Sequence, residues 1–245
     1  TWVNTDLHQN KLEAENIWKI HQQSKKELID FIQNRTGVSL RPDRLMVGFA
    51  RRAVAYKRHL LIFENEKLIK PYLKKRKLQL VFAGKSHPLD DSGKEIVGKL
   101  IEYSRKYPRS LVFLEDYDME IGKYLTEGVD VWLNTPRRPQ EACGTSGMKA
   151  AMNGVLNLSV LDGWWDEACE HGQNGWQFGG GYQGKNQDKK DLKELYSVLL
   201  QQVIPAYYEE KNKWKNMMKN SIKTVSKKYS AFEMLKKYYK ELYNV

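Results

Sequence analysis

Short apolar runs alternate with segments of helical spacing along the central part of the chain. The apolar runs lie at residues 44–50, 78–84, 110–116, 129–134 and 155–160. Between them, apolar residues recur at helical intervals over about 54–73, 93–106, 118–127 and 145–153. Continuous apolar runs are typical of strands buried on both faces of a parallel sheet. The pattern therefore predicts an α/β fold, with a doubly wound parallel sheet over about residues 44–162 and right-handed crossovers.

The two ends of the chain have different patterns. A first helix is predicted over residues 11–34. The segment 162–187 is rich in Gly and Trp, and it predicts a long loop with at most one short strand. Helices follow over residues 188–243, broken or kinked at Pro205. Because no linker rich in Pro, Gly or Ser divides the sequence, residues 1–245 are predicted to form a single domain.

Composition excludes several classes of protein. The hydrophobic fraction of 41%, with 7 Trp, 14 Tyr and 7 Phe, is typical of a folded globular protein. No apolar run approaches the roughly 20 residues of a membrane-spanning helix, and "TWVNTDLHQN" lacks the regions of a secretory leader. Two cysteines, Cys143 and Cys169, favour a reducing compartment. We therefore expect a cytoplasmic protein without a membrane partner.

The net charge of +11 and the pI of about 9.4 raise the question of a polyanionic partner. Much of the lysine excess lies in the last third of the chain, where basic residues accompany an apolar stripe that includes Trp214, Met217 and Ile222. This pattern is typical of a solvated helix face. No nucleic acid is expected, and a non-catalytic polyanion-binding module stays as an alternative function.

Loops at the carboxyl ends of parallel strands bind ligands in such folds. The segment "EACGTSGMKAAMNG", residues 141–154, surrounds a helix start with small residues, so its backbone amides are open to an anion such as phosphate. Lys149 lies about one turn into that helix, within reach of the same ligand. This segment contains neither G-x-x-x-x-G-K-[ST] nor G-x-G-x-x-G, which disfavours a standard nucleotide loop here. A plain structural turn is the alternative.

A cluster of cations follows the first predicted strand. Arg51, Arg52 and Lys57 stand near a predicted helix start, where positive charge is unfavourable unless an anion compensates it. An anion site is the favoured interpretation, and ordinary helix-start cations are the alternative. His87 and His171 have no Cys or His neighbours at ligand spacing, so no metal site is predicted.

Four segments carry a resemblance to a known family. "RRPQEACGTSGMKAAMNGVLNLSVLDGWWDEA" resembles the active-site segment of the α-glucan (glycogen, starch, maltodextrin) phosphorylases, particularly of their shorter prokaryotic branch. "GFARRAVAYKRHLLIF", "VFAGKSHP" and "VIPAYYEEKNKWKNMMKNSI" resemble other segments of that branch in the same order. The match covers nearly the whole chain but only the C-terminal half of such an enzyme, in keeping with a first residue other than Met. It implies the Rossmann-like C-terminal domain of a GT-B glycosyltransferase.

The resemblance also implies a pyridoxal 5′-phosphate site. Lys149 matches the lysine that forms a Schiff base with this cofactor, and it is an expected catalytic residue. Gly144, Thr145 and Gly147 match the loop that meets the cofactor phosphate. Arg51 replaces a lysine that contacts the same phosphate, which keeps the charge and changes the geometry.

One cofactor contact departs from the pattern of the longer enzymes. Tyr117 falls near a cofactor-contacting tyrosine, yet Asp118 stands where those enzymes have an arginine. We expect an arginine from "PRRP", Arg137 or Arg138, to compensate.

Substrate-binding residues follow from the same resemblance. Glu141 matches the carboxylate that binds hydroxyls of the donor glucose, with the backbone of Cys143 and Gly144 nearby. Arg52 and Lys57 match the cations that hold the substrate phosphate, and both are expected catalytic residues.

The implied function is reversible phosphorolysis of α-1,4-glucan with retention, which yields glucose 1-phosphate. The cofactor phosphate then lies against the substrate phosphate and assists proton transfer. Glucan, phosphate, glucose 1-phosphate and the N-terminal half of the enzyme are the expected partners, and without that half the chain is expected to be inactive. A lone half exposes an apolar cleft wall, so a homo-oligomer is also considered. The alternative enzyme is a nucleotide-sugar-dependent GT-B glycosyltransferase resembling glycogen synthase, a class that forms no Schiff base.

Overall fold

The computed structural model describes residues 13–243, and within them six strands form one parallel sheet. The strands are β1 (Leu45–Ala50), β2 (Leu78–Ala83), β3 (Leu111–Leu114), β4 (Val131–Asn134), β5 (Leu156–Val160) and β6 (Gly175–Phe178). Their order is β3-β2-β1-β4-β5-β6, and every neighbouring pair is parallel. The chain reverses direction across the sheet between β1 and β4, as in a doubly wound Rossmann-like fold. The predicted fold class is confirmed.

Helices cover both faces of the sheet. They are α1 (Ala14–Thr36), α2 (Glu66–Lys74), α3 (Asp91–Lys106), α4 (Met119–Gly128), α5 (Thr145–Met152), α6 (Trp164–Ala168), α7 (Gln187–Val198), α8 (Ile204–Glu209), α9 (Lys211–Lys228) and α10 (Ala231–Tyr238). Val47 and Phe49 of β1 join a core with α2, α3, α7 and α9, whereas Met46 and Ala50 join a second core with α1 and α4. This double burial explains why the strands are continuous apolar runs.

The predicted helix over residues 54–73 is wrong in its first half. The structure has two short 3-10 helices there, Ala55–Lys57 and Leu61–Phe63, and α2 begins only at Glu66. Between them Arg58 has a φ of +46°, a left-handed conformation that ends a right-handed helix. Its buried side chain is bonded to the loop after β4 and to Asp191 of α7. The apolar spacing of the segment fits one helix, but local spacing does not report these long-range bonds.

The Gly- and Trp-rich segment is more regular than the predicted loop. It contains α6 and β6, and β6 pairs with β5 as an edge strand of the sheet. Trp164 and Trp165 pack in a buried cluster with Val225 of α9. The two tryptophans therefore anchor this segment to the rest of the fold.

The C-terminal helices follow one another closely. α7 runs through a π-helical turn, Leu199–Val203, into α8, whose second residue is Pro205. The α-helical run is thus interrupted by a π-helical turn directly before α8 and Pro205, at the place of the predicted break or kink. The last helix, α10, has no buried residue, and Leu235 and Leu242 near it are exposed. None of the helices within residues 13–243 is long and apolar enough to cross a bilayer.

A buried charge cluster joins α1 to the amino-terminal edge of the sheet. Lys25 Nζ lies 2.5 Å from Asp130 Oδ2 and donates to the carbonyl of Arg44 at 2.5 Å and to Tyr207 Oη at 2.9 Å. The amide of Met46 donates to the same carboxylate at 2.7 Å. Although burial opposes ionisation, the charge of Lys25 holds the pKa of Asp130 below its usual range. The cluster therefore ties α1, β1, β4 and α8 together as a charged unit.

Lys25→Met is expected to destabilise the fold by about 3–5 kcal/mol, because it leaves a buried carboxylate without its charged partner. Lys26→Met, at an exposed position of the same helix, is the matched control and is expected to change the free energy of unfolding by less than about 0.5 kcal/mol. Urea unfolding followed by circular dichroism measures both. Equal stability of the two variants would contradict the role of the buried pair.

Candidate active site

The carboxyl ends of β1 and β4 bring four charged residues to one place. Arg51 and Arg52 directly follow β1, Lys57 lies in the 3-10 helix after it, and Glu141 lies in the loop after β4. Because β1 and β4 are neighbours in the sheet, their following loops lie side by side. This is the reversal point of the strand order, where ligands bind in doubly wound sheets.

Glu141 is paired with two cations in this cluster. Its Oε1 lies 2.7 Å from Arg51 Nη2, and its Oε2 lies 3.6 Å from Lys57 Nζ. The Arg51, Lys57 and Glu141 side chains are 6%, 12% and 8% exposed, so all three charges are largely withdrawn from water. Arg51 also donates to the side-chain oxygen of Asn134, the last residue of β4. Arg52 differs, because it is exposed and makes no ion pair within the described residues.

Burial and neighbouring charge act on the amine of Lys57. Burial lowers its pKa, and the adjacent Arg51 and Arg52 lower it further, while Glu141 opposes them. The net direction is downward from the usual lysine value. Because the charge of Arg52 lowers the pKa of Lys57, this charge also lies close to the amine. Two cations, Arg51 and Lys57, thus converge on one carboxylate, and Arg52 adds a third positive charge nearby.

The loop after β2 supports the backbone of Arg51. A Cβ on Gly84 would lie 2.2 Å from the carbonyl oxygen of Arg51, so only glycine allows the two loops to approach this closely. His59 Nε2 lies 3.3 Å from the same carbonyl, and burial lowers the pKa of His59 to about 4. A neutral His59 therefore donates this bond at neutral pH. The "AGKSHP" loop acts here as a support for the charged loop.

Two glycines of the segment at residues 141–154 are required for different reasons. Gly144 precedes α5 with a φ of +91°, a conformation that favours glycine. Gly147 is buried, and a Cβ there would lie 2.7 Å from Asn157 Oδ1 and 3.0 Å from Trp164 Nε1. Its small size thus allows α5 to pack on β5 and α6.

An open cavity of about 660 Å³ lies between α4 and the first turns of α5. Lys149, Thr145 and Ser146 line it from α5, and Tyr117 lines it from the loop before α4. Ser146 Oγ is buried and has no hydrogen-bond partner within residues 13–243. A buried hydroxyl without a partner is uncommon in folded proteins, and it suits a ligand with hydrogen-bonding oxygens.

Tyr117 connects this cavity to the cation cluster. Burial raises the pKa of its phenol, and the charge of Arg51 acts in the opposite direction, which indicates that Arg51 is near. On the other side, a Cβ on Gly144 would lie 3.8 Å from Glu141 Cγ. The cavity with Lys149 and the cluster around Glu141 are therefore adjacent parts of one site.

The expected compensation for Asp118 is wrong. Asp118 caps α4, and its Oδ1 accepts from the amide of Ile121 at 2.9 Å. Arg137 pairs with Asp188, and Arg138 forms a two-pronged pair with Asp166 at 2.7 and 2.8 Å. Neither arginine lines the cavity that contains Lys149. Both are instead satisfied by acidic residues of later segments.

Sequence reasoning missed two residues that shape the site, Asn134 and Ser146, which contribute as described. Asp162 also shapes it, because its Oδ2 accepts from the amide of Glu141 at 2.9 Å. A polar residue at the end of an apolar run, as in Asn134, is the sequence signal that could have found one of them. Cys143 is exposed, and its carbonyl accepts from the amide of Trp164 at 2.9 Å.

Comparison with known proteins places the chain in a family. A family model described as Carbohydrate phosphorylase matches residues 5–198. The chain belongs to this phosphorylase family. A glycogen phosphorylase of Aquifex aeolicus is 40% identical over 94% of this chain, and a maltodextrin phosphorylase of Thermococcus litoralis is 39% identical over 96%. A glycogen phosphorylase of Mycobacterium tuberculosis is 35% identical over 97%.

This phosphorylase chain spans only about a third of the length of those relatives, from 30% to 37% of each. The family resemblance of the four sequence segments is thereby confirmed. The roles that the resemblance assigns to single residues stay predictions. The structure brings Arg51, Lys57 and Glu141 together, and it gathers Tyr117, Thr145 and Lys149 around the neighbouring cavity.

Glu141→Gln is expected to increase binding of phosphate, because it removes the internal carboxylate that competes for Arg51 and Lys57. The variant loses about 3 kcal/mol of stability, and phosphate at about 100 times its Kd restores about 2.7 kcal/mol. Thermal unfolding with increasing phosphate measures this, against chloride at equal ionic strength.

Glu167→Gln is the matched control, because Glu167 is exposed and pairs with Lys228 outside this site. Its phosphate response is expected to equal that of the unmodified chain. A weaker response of Glu141→Gln than of this control would show that the two cations do not bind the anion.

Proposed function

We propose that this chain is the phosphate- and cofactor-binding C-terminal domain of a retaining α-1,4-glucan phosphorylase, an enzyme that yields glucose 1-phosphate. The observation that carries the proposal is the meeting of Arg51 and Lys57 at Glu141, beside the cavity that Lys149 lines. The names of the glycogen and maltodextrin phosphorylases among its relatives support the substrate class.

The cations would hold the phosphate that attacks the glucan. In phosphorolysis a phosphate oxygen forms a bond to the anomeric carbon, the glycosidic bond breaks, and the departing oxygen takes a proton. Arg52 and Lys57 are assigned to the substrate phosphate, and the largely buried position of Lys57 strengthens its contact. The lowered pKa of Lys57 makes its proton easier to transfer than that of an exposed lysine.

Glu141 would bind hydroxyls of the terminal glucose, with the backbone of Cys143 and Gly144 beside it. A carboxylate accepts two or more hydroxyl hydrogen bonds, which suits a sugar edge. The substrate phosphate would replace Glu141 as the ionic partner of Arg51 and Lys57. Both carboxylate oxygens of Glu141 would then be available for the sugar. Phosphate and glucose are therefore expected to favour each other's binding.

The residues around the cavity fit pyridoxal 5′-phosphate. Lys149 supplies an amine for its aldehyde, and the unpartnered Ser146 hydroxyl with the first amides of α5 suits its phosphate. Gly144, Thr145 and Arg51 are assigned to the same phosphate. When bound, the cofactor supplies a phosphate group that assists proton transfer beside the substrate.

The remaining part of the site is assigned to an N-terminal half that the relatives contain. Their greater length supports this, and so do the apolar side chains that α10 leaves exposed, such as Leu235 and Leu242. Both cysteines are free, which agrees with a reducing cytoplasm.

Lys149 is expected to be the residue that captures pyridoxal 5′-phosphate. Incubation with the cofactor, reduction with sodium borohydride and peptide mapping should find the pyridoxyl group on Lys149. Lys149→Ala should lose the label, and Lys123→Ala, which removes the other amine of the same cavity, should keep it. A label on Lys123, or none above the level of surface lysines, would refute the assignment.

The 245-residue chain is expected to release no glucose 1-phosphate from maltoheptaose and phosphate, because part of the sugar site is missing. A coupled assay for glucose 1-phosphate measures this, with a full-length relative as the positive control. Turnover comparable to that control would show that this chain carries a complete site.

A further inference from the structure

Arg58 is buried next to the candidate site and has four fixed acceptors. Its Nε donates to the carbonyl of Thr135 at 2.9 Å, and its Nη2 donates to the carbonyl of Pro136 at 2.7 Å. The other bonds go to carboxylates, from Nη2 to Asp191 Oδ2 at 2.6 Å and from Nη1 to Asp188 Oδ1 at 2.8 Å. A planar guanidinium can satisfy four acceptors at fixed positions, whereas a lysine ammonium cannot reach them all.

These bonds are part of the contact between the loop after β1, residues 55–58, and the loop after β4, residues 135–137, which we call the seam. Thr135 Oγ1 donates to the carbonyl of Lys57 at 2.7 Å, and the amide of Arg137 donates to the carbonyl of Tyr56 at 2.7 Å. Together with the bonds of Arg58, they align residues 55–58 with residues 135–137. These hydrogen bonds therefore fix the two loops to each other at this point.

Asp191 fixes that seam to α7. Its side chain is 1% exposed, and a Cβ on Gly179 would lie 2.2 Å from its Oδ1. Gly179 also has a φ of +83°, so the loop after β6 closes tightly over the carboxylate. With no room to shift, Asp191 holds the guanidinium of Arg58 in one orientation.

We propose that Arg58 is a positioning residue that sets the distance between Lys57 and Glu141 and, through it, the affinity of the site for phosphate. Lys57 directly precedes Arg58, and Glu141 lies on the loop whose first carbonyls Arg58 holds. Cations that bind one anion must converge within hydrogen-bond distance, so a small separation of the loops weakens the site steeply. The proposal rests on the proposed function only for the identity of the anion.

Two variants separate the loops in different ways. Arg58→Lys keeps the charge but loses most of the four bonds. Thr135→Val removes only the hydroxyl that is shared between the carbonyls of Lys57 and Arg58, at 2.7 and 3.1 Å, and it keeps the shape of the side chain. Arg137→Lys is the matched control, because the Arg137 side chain also pairs with Asp188 but holds no loop carbonyl in the structure.

The first measurement reports Lys57 without any ligand. Competitive acetylation over a pH series, read for each lysine by mass spectrometry, gives the titration midpoint of Lys57 in the folded chain. Burial and Arg51 lower the pKa of Lys57, so opening the loops should move its midpoint up in Arg58→Lys and Thr135→Val. Lys26 serves as the internal reference, and Arg137→Lys should leave both midpoints unchanged.

The second measurement is phosphate affinity by isothermal titration calorimetry on the same chains. Arg58→Lys should weaken binding about tenfold and Thr135→Val about threefold, while Arg137→Lys keeps the original Kd. Absence of phosphate binding by the unmodified chain would refute the proposed function, and the Lys57 midpoint would still test the positioning role.

Unchanged midpoints and affinities in Arg58→Lys and Thr135→Val would overturn the positioning role. So would equal changes in the Arg137→Lys control. If Arg58→Lys does not fold, Thr135→Val decides the question alone, because it removes a single neutral hydroxyl.

Discussion

The ion pairs of Glu141 with Arg51 and Lys57 are the interaction on which the candidate site depends. Three charges can be withdrawn from water only if they pair with one another, because an unpaired buried ion costs several kcal/mol. The sheet order supplies the partners, since β1 and β4 are adjacent and their loops meet. The same need for a counter-charge makes the two cations receptive to another anion. Stability and anion binding therefore arise from one arrangement.

The two ends of β4 carry two different clusters of buried charge, one structural and one in the candidate site. At its amino end Asp130 pairs with Lys25, and neither side chain has any exposed surface. At its carboxyl end Asn134 contacts Arg51, whose cluster retains some exposure and adjoins an open cavity. Both clusters bury charge, but a ligand can reach only the second. The candidate site thus differs from the cluster around Asp130 in its accessibility to a ligand. The direction of the pKa shifts does not distinguish the two clusters.

The sheet was predictable from sequence because its strands are buried on both faces, and each of β1 to β5 coincides with a mainly apolar run, in which β5 alternates apolar residues with Asn157 and Ser159. β6 could be expected only as a possible short strand, because its residues, GWQF, include a glycine and a glutamine and form no apolar run. The cation cluster after β1 was also predictable, because positive charge near a predicted helix start is unfavourable unless an anion compensates it. Its pairing with Glu141 required the sheet order, which local patterns do not contain.

The acidic partners of the arginines could not be predicted from the sequence. Arg58 pairs with Asp188 over a separation of 130 residues, and Arg138 pairs with Asp166 from a different loop. In a sequence these arginines look like any others near a strand end. The pattern therefore predicts Arg137 or Arg138 near the cofactor and counts Arg58 among the cations that follow the first strand. Long-range pairing decides which cations stay available to a ligand.

The small residues around Cys143 now have a physical explanation that differs from bare access to the backbone. Gly144 is needed for its left-handed φ, Gly147 for its contact with Asn157 and Trp164, and Gly163 because a Cβ would lie 2.3 Å from the Cys143 carbonyl. These contacts hold the loop around Cys143 against β5 and α6, and they fix the position of the start of α5. Rigid packing on one side therefore holds Thr145, Ser146 and Lys149 toward the cavity on the other, before any ligand arrives. A site ordered in advance loses less conformational entropy on binding, so the glycines contribute to affinity even where they touch no ligand.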